Sequence, residues 1–85
     1  MTFVKSILYI TIGYMNHFSI SIVMTAYNEE KTVAEAIAAT EKSLRENTSD
    51  YEIIVIDDAS SDGTKEITDA LAKNNPQLRI VHNKT

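Results

Sequence analysis

From Ser19 onward the chain is organised by changes of hydrophobic period. Ser19-Ile20-Ser21-Ile22-Val23-Met24-Thr25 is a β-branched run of strand length, closed by the polar group Tyr27-Asn28-Glu29-Glu30. Alternation puts Ile20, Ile22 and Met24 on one face of this strand and Ser21 and Val23 on the other. Thr32 and Glu35 stand at capping-box spacing. Val33, Ala36, Ile37, Thr40 and Leu44 follow at helical intervals until Asn47-Thr48-Ser49-Asp50 interrupts them. Glu52-Ile53-Ile54-Val55-Ile56 is apolar at successive positions, as a strand buried on both faces of a parallel sheet requires, and it stops at Asp57-Asp58. Ala59-Ser60-Ser61-Asp62-Gly63 is turn chemistry, in which Ser61 or Asp62 caps a second helix carrying Ile67, Ala70 and Leu71 on one face. Asn74-Asn75-Pro76 ends that helix, and Leu78-Arg79-Ile80-Val81-His82 reads as a third strand.

The order β-α-β-α-β predicts an α/β fold, a Rossmann-like half of a doubly wound sheet with right-handed crossovers. If the strands step in one direction, both helices lie on one face of the sheet. The other face is then left for residues 1–18 or for sequence beyond residue 85 to cover, and the latter is the expectation. Residues 1–18 form an apolar N-terminal extension. Lys5 followed by Ile7-Leu8-Tyr9-Ile10-Thr11-Ile12 resembles the first parts of a secretory signal, but cleavage near Ser19-Ile20-Ser21 would cut into the first strand. An irregular or edge extension, or a start at Met15, reads these residues more simply. A spanning helix needs about 20 mainly apolar residues, and Asn16-His17 breaks the uncharged stretch from Ser6 to Asn28.

Composition narrows the function classes. Eight Lys and Arg against twelve Asp and Glu leave a net charge of −4, which argues against nucleic acid as a partner. With no cysteine there is no disulfide framework, thiolate nucleophile or Cys-based zinc site. At 85 residues the chain is short for a domain of roughly 100–200 residues, so residues 19–85 are expected to be the N-terminal portion of a larger, truncated one.

Ligands of open α/β sheets bind beyond the carboxyl ends of the strands. Here those ends supply Thr25, Tyr27, Asn28 and Glu29 from the first strand and Asp57 and Asp58 from the second. A tyrosine ring can stack on a base, and a carboxylate can accept hydrogen bonds from ribose hydroxyls or a base N–H. The only glycines are Gly13 and Gly63, so a glycine-rich phosphate cradle is absent. Simpler readings stand beside these. Asp57-Asp58 can be turn and helix-cap chemistry, and Tyr27 can be a buried packing ring. Asp62 and Thr64 can be cap residues, and Asn83 can be a structural cap or a residue near a nucleotide. The charged residues from Glu30 to Glu46 can be a solvated helix face. His17 and His82 suggest no metal pair and carry no assigned role.

The run Ser21 to Glu30, followed at a fixed distance by Tyr51-Glu52-Ile53-Ile54-Val55-Ile56-Asp57-Asp58-Ala59-Ser60-Ser61-Asp62-Gly63-Thr64, resembles the opening of glycosyltransferase family 2. These are inverting transferases of the GT-A fold that use nucleotide-diphospho-sugars, UDP- or GDP-linked. The resemblance implies that Thr25 and Tyr27 border the nucleoside and that Asn28 and Glu29 fix the loop or the ribose. It also implies that Asp57 bonds the base or ribose and that Asp58 supports the loop and the diphosphate–metal region. It further implies Mg²⁺ or Mn²⁺ in the complete enzyme, transfer to an acceptor hydroxyl or lipid phosphate, and a cytoplasmic setting with membrane-surface association. The family's Asp-x-Asp metal motif has no counterpart in this sequence, and neither has its catalytic base, expected beyond residue 85. The chain by itself is therefore expected to be inactive. A non-catalytic remnant or interaction module of the same fold predicts the same residues. A receiver-like signalling domain would need its acidic pair after the first strand and an Asp after the third.

Overall fold

Apolar residues at successive positions of β2 (Tyr51–Asp58) make it the central strand of a three-stranded parallel sheet, flanked by β1 (Ile20–Ala26) and β3 (Leu78–Asn83). The computed structural model describes residues 20–84. The 1–18 extension, the secretory-signal reading and His17 lie outside them. The crossovers are α1 (Val33–Asn47) and α2 (Thr64–Lys73), so the element order is β-α-β-α-β, that of a partial Rossmann-like GT-A domain. Among the described residues no helix is long and apolar enough to cross a membrane.

Register sorts the side chains. Pairs Ile22↔Ile53, Met24↔Val55, Ala26↔Asp57, Ile53↔Leu78, Val55↔Ile80 and Asp57↔His82 put all of these residues on one face of the sheet. Met24, Ala26, Ile53, Val55 and Leu78 of that face are buried with Val33, Ile37 and Leu44 of α1 in a single core. The expected stripe of α1 is the observed one, with Ala36 and Thr40 half-buried at its margin. On the second face stand Val23, Ile54, Ile56 and Val81, of which the first three are half-buried and Val81 is exposed. At the amino end of this face Ser21 Oγ donates to Glu52 at 2.9 Å and Arg79 lies 3.8 Å from the same carboxylate.

Several local expectations are corrected. Asp57 and Asp58 belong to β2 rather than to the turn after it, because Ala26↔Asp57 and Asp58↔Asn83 extend the ladder on both sides. The third strand likewise runs to Asn83. The capping box at Thr32 and Glu35 does not form: Thr32 Oγ1 turns away from its helix and donates to Glu29 Oε2 at 3.2 Å. The Glu29 carbonyl accepts instead from Thr32 N and from Val33 N, the first free N–H of α1. On α2 the inward row is Thr64, Ile67, Thr68 and Ala72, whereas Ala70 and Leu71 are exposed. Thr64 is tethered to the preceding loops, and that tether sets the rotation of the helix.

Candidate functional site at the carboxyl ends of the strands

Among the described residues two non-glycine positions hold left-handed backbone conformations, and each sits just past a strand end. Asn28 has φ 50° and Ala59 has φ 58°. Such angles turn the chain sharply out of the sheet, and Asn tolerates them better than Ala does. The two loops then interlock. The Asn28 side-chain oxygen accepts from Ser61 N at 2.8 Å, from Ser61 Oγ at 3.4 Å and from Asp62 N at 3.4 Å, while Asn28 N donates to Ser60 Oγ at 3.0 Å. Glu30 N donates to Asp62 Oδ2 at 3.2 Å. The buried Glu29 N–H is met by Thr64 Oγ1 at 2.8 Å, and that hydroxyl donates onward to Asp62 Oδ1. Asp62 Oδ1 also accepts from Thr64 N at 2.9 Å, so Asp62 serves the start of α2 as the sequence suggests, although Gly63 is the formal cap. Partial burial would raise the Asp62 pKa, but its hydrogen bonds from Thr64 and Glu30 outweigh that and hold it below the usual carboxylate value.

The two adjacent aspartates play unequal parts. Asp57 faces the helices and its side chain is 3% exposed. Its Oδ1 accepts from Ser60 N at 3.2 Å, and its Oδ2 lies 2.9 Å from His82 Nδ1. Burial opposes ionisation of Asp57, yet the donors from Ser60 and His82 win and hold its carboxyl below the ordinary range. Asp58 points to the other face, is exposed, and accepts from Asn83 Nδ2 at 3.4 Å. Asn83 is thus beside the site and bonded to one of its acids.

Tyr27, one residue beyond the last register pair of β1 with β2, is 57% exposed and not a packing ring. Thr25 is half-buried on the same sheet face as Asp58. The six residues singled out in the sequence therefore converge on one end of the sheet. Glu29 and Asp57 are buried within the scaffold, Asn28 bolts the loops together, and Tyr27 and Asp58 stay open to solvent.

Three participants escape a reading of the sequence alone. Ser60 and Thr64 look like ordinary turn residues until the second loop is seen against the first. His82, given no role above, bridges Asp57 and Asp69, its Nε2 lying 2.8 Å from Asp69 Oδ1. Alternation along Leu78, Ile80 and His82 was the available signal, since it puts the ring on the helix side of the sheet.

The described residues do not fit a resident divalent metal. Among those described no three His, Asp or Glu side chains are grouped to hold one, Asp57 is fully engaged, and Asp58 is a single open carboxylate.

Comparison with known proteins places these features. Residues 21–85, well over half of the chain, match glycosyl transferase family 2. The chain is 39% identical over 62 residues to the undecaprenyl-phosphate 4-deoxy-4-formamido-L-arabinose transferase of Yersinia enterocolitica, covering 73% of this chain and 19% of that protein. It is 33% identical over 67 residues to the enzyme of the same name from Pseudomonas fluorescens, with 76% and 20% covered. It is 37% identical over 67 residues to EpsE of Bacillus subtilis, with 78% and 23% covered. The chain thus spans about a fifth of the length of the curated relatives it matches. No solved structure gives a significant match.

Proposed function

The chain belongs to glycosyl transferase family 2, and from that premise we propose that its loop end is the nucleoside half-site of a transferase that takes a UDP- or GDP-linked sugar. The observation that carries this reading is the pairing of an exposed ring with an open carboxylate on two interlocked loops: Tyr27 beyond β1 and Asp58 at the end of β2. Tyr27 stacks on the base, Asp58 accepts hydrogen bonds from base or ribose, and Thr25 borders them. Asn28, Glu29 and Asp57 keep the loops in place and do not reach the ligand. Transfer proceeds with inversion at the sugar to an acceptor hydroxyl or a lipid phosphate. The undecaprenyl-phosphate transferases among the relatives favour a lipid phosphate as acceptor, and we place the reaction at the cytoplasmic face of a membrane. The acceptor's base lies outside these residues, and so do the ligands of any Mg²⁺ or Mn²⁺ on the sugar diphosphate.

Calorimetric titration of UDP and GDP into the intact protein, with and without Mn²⁺, tests the reading. One nucleotide should bind, and Tyr27→Ala and Asp58→Ala should each weaken it by about 1–3 kcal/mol while leaving the urea midpoint unchanged. A folded protein that binds neither nucleotide, or whose affinity both substitutions leave intact, would refute it.

A further inference from the structure

His82 sits where three elements meet: it is carried by β3, its Nδ1 is 2.9 Å from Asp57 Oδ2 at the end of β2, and its Nε2 is 2.8 Å from Asp69 Oδ1 on α2. Both partners are carboxylates, which only accept, so both contacts are hydrogen bonds only when both ring nitrogens carry a proton. The ring is then a cation clamped between two anions. The two sides of the clamp differ. The Asp57 side chain is 3% exposed and has one further donor, Ser60 N. The Asp69 side chain is 46% exposed and shares its other oxygen with Lys65 at 3.5 Å. Asp57 and Asp69 are the charged groups that face the ring from β2 and α2, and Lys65 stands behind Asp69 one turn earlier.

We propose that His82 is a positioning residue of the nucleotide-sugar site: its imidazolium pins the buried Asp57, and through the Asp57–Ser60 bond it fixes the turn that follows Asp58 at the end of β2. This inference rests on the nucleoside-site reading above. Hydrogen bonds from Asp69 and Asp57 stabilise the charged ring and raise its pKa above the ordinary histidine value. Loss of the proton leaves one ring nitrogen with a lone pair facing a carboxylate. The exposed Asp69 can swing away into water, whereas Asp57 is left with a weaker partner in a place it cannot leave. Ordered loops and ligand binding thus belong to the protonated form, and both decline as pH rises through the raised pKa.

The test is nucleotide affinity of the intact protein from pH 5.5 to 9, for the wild type, His82→Gln and Asp69→Asn, together with ¹⁵N shifts of the His82 ring without ligand. The ring should show two protonated nitrogens at pH 6. Wild-type affinity should fall about 5- to 10-fold more steeply with pH than that of His82→Gln, the low end of couplings between linked sites. Taking the ratio of the two profiles cancels the titration of the nucleotide's own phosphate. Asp69→Asn should keep the pH dependence but shift it to lower pH. If nucleotide binds and Tyr27→Ala weakens it as above, yet His82→Gln matches the wild type at every pH, the positioning role is overturned and the site reading survives. A ring that is neutral at pH 6 also overturns it. No nucleotide binding at any pH overturns the site reading and this inference with it.

Discussion

Asp57 and Asp58 are chemically identical neighbours with opposite duties, because a strand turns successive side chains to opposite faces. One is sealed under the helices and the other faces water. The sequence shows that two acids close the strand; which one is buried depends on register and on where the helices pack, and neither is written at the two positions themselves. The buried acid makes stability depend on pH. Asp57 has a depressed pKa in the folded state, so its contribution is present above the unfolded value near 3.9 and is lost as pH falls through the folded one. His82 has a raised pKa, so its contribution is complete below the unfolded value near 6.5 and is lost as pH rises through the folded one. The urea midpoint should therefore be highest between these limits, and Asp57→Asn should flatten both flanks. A second test concerns Ala59, whose φ of 58° strains any residue with a Cβ. Ala59→Gly should raise stability by about 1 kcal/mol in urea, the relief exceeding the added freedom of the unfolded chain.

Of the five elements, all are legible in the hydrophobic period, and α1 is legible down to its buried stripe of Val33, Ile37 and Leu44. What escaped is decided between elements. The rotation of α2 follows from Thr64, whose hydroxyl is claimed by Glu29 N and Asp62, and no period within Thr64–Lys73 announces a partner 35 residues away. The same helix offers a matched comparison. Thr64 and Thr68 are both fully buried. Thr68 Oγ1 donates only to carbonyls of its own helix, Thr64 O at 3.0 Å and Lys65 O at 3.1 Å, which lie within reach of the helix's own N–H groups. Thr68→Val should be close to neutral. Thr64→Val, equal in shape, strands the buried Glu29 N–H and should cost about 1–3 kcal/mol by chemical denaturation.

At the scale of the whole molecule the two ends of the sheet are built differently. The amino end is tied by Glu41, which accepts from Tyr51 Oη at 2.9 Å and Asn75 Nδ2 at 3.0 Å, beside a continuous apolar core. The carboxyl end is held mainly by polar bonds between two loops. Each of the bonds that lock Asn28, Glu29 and Glu30 to the second loop spans between 32 and 35 residues of chain. Bonds of such separation repay the entropy of closing the chain only after the strands they flank are already side by side. They should therefore form only after the folding transition state. Asn28→Gly, which keeps the left-handed backbone but deletes the amide, should hasten unfolding and leave the folding arm of the chevron almost unmoved, with a φ-value of about 0–0.3. The end that carries the candidate site should be the last to close as the chain folds and the first to open as it unfolds.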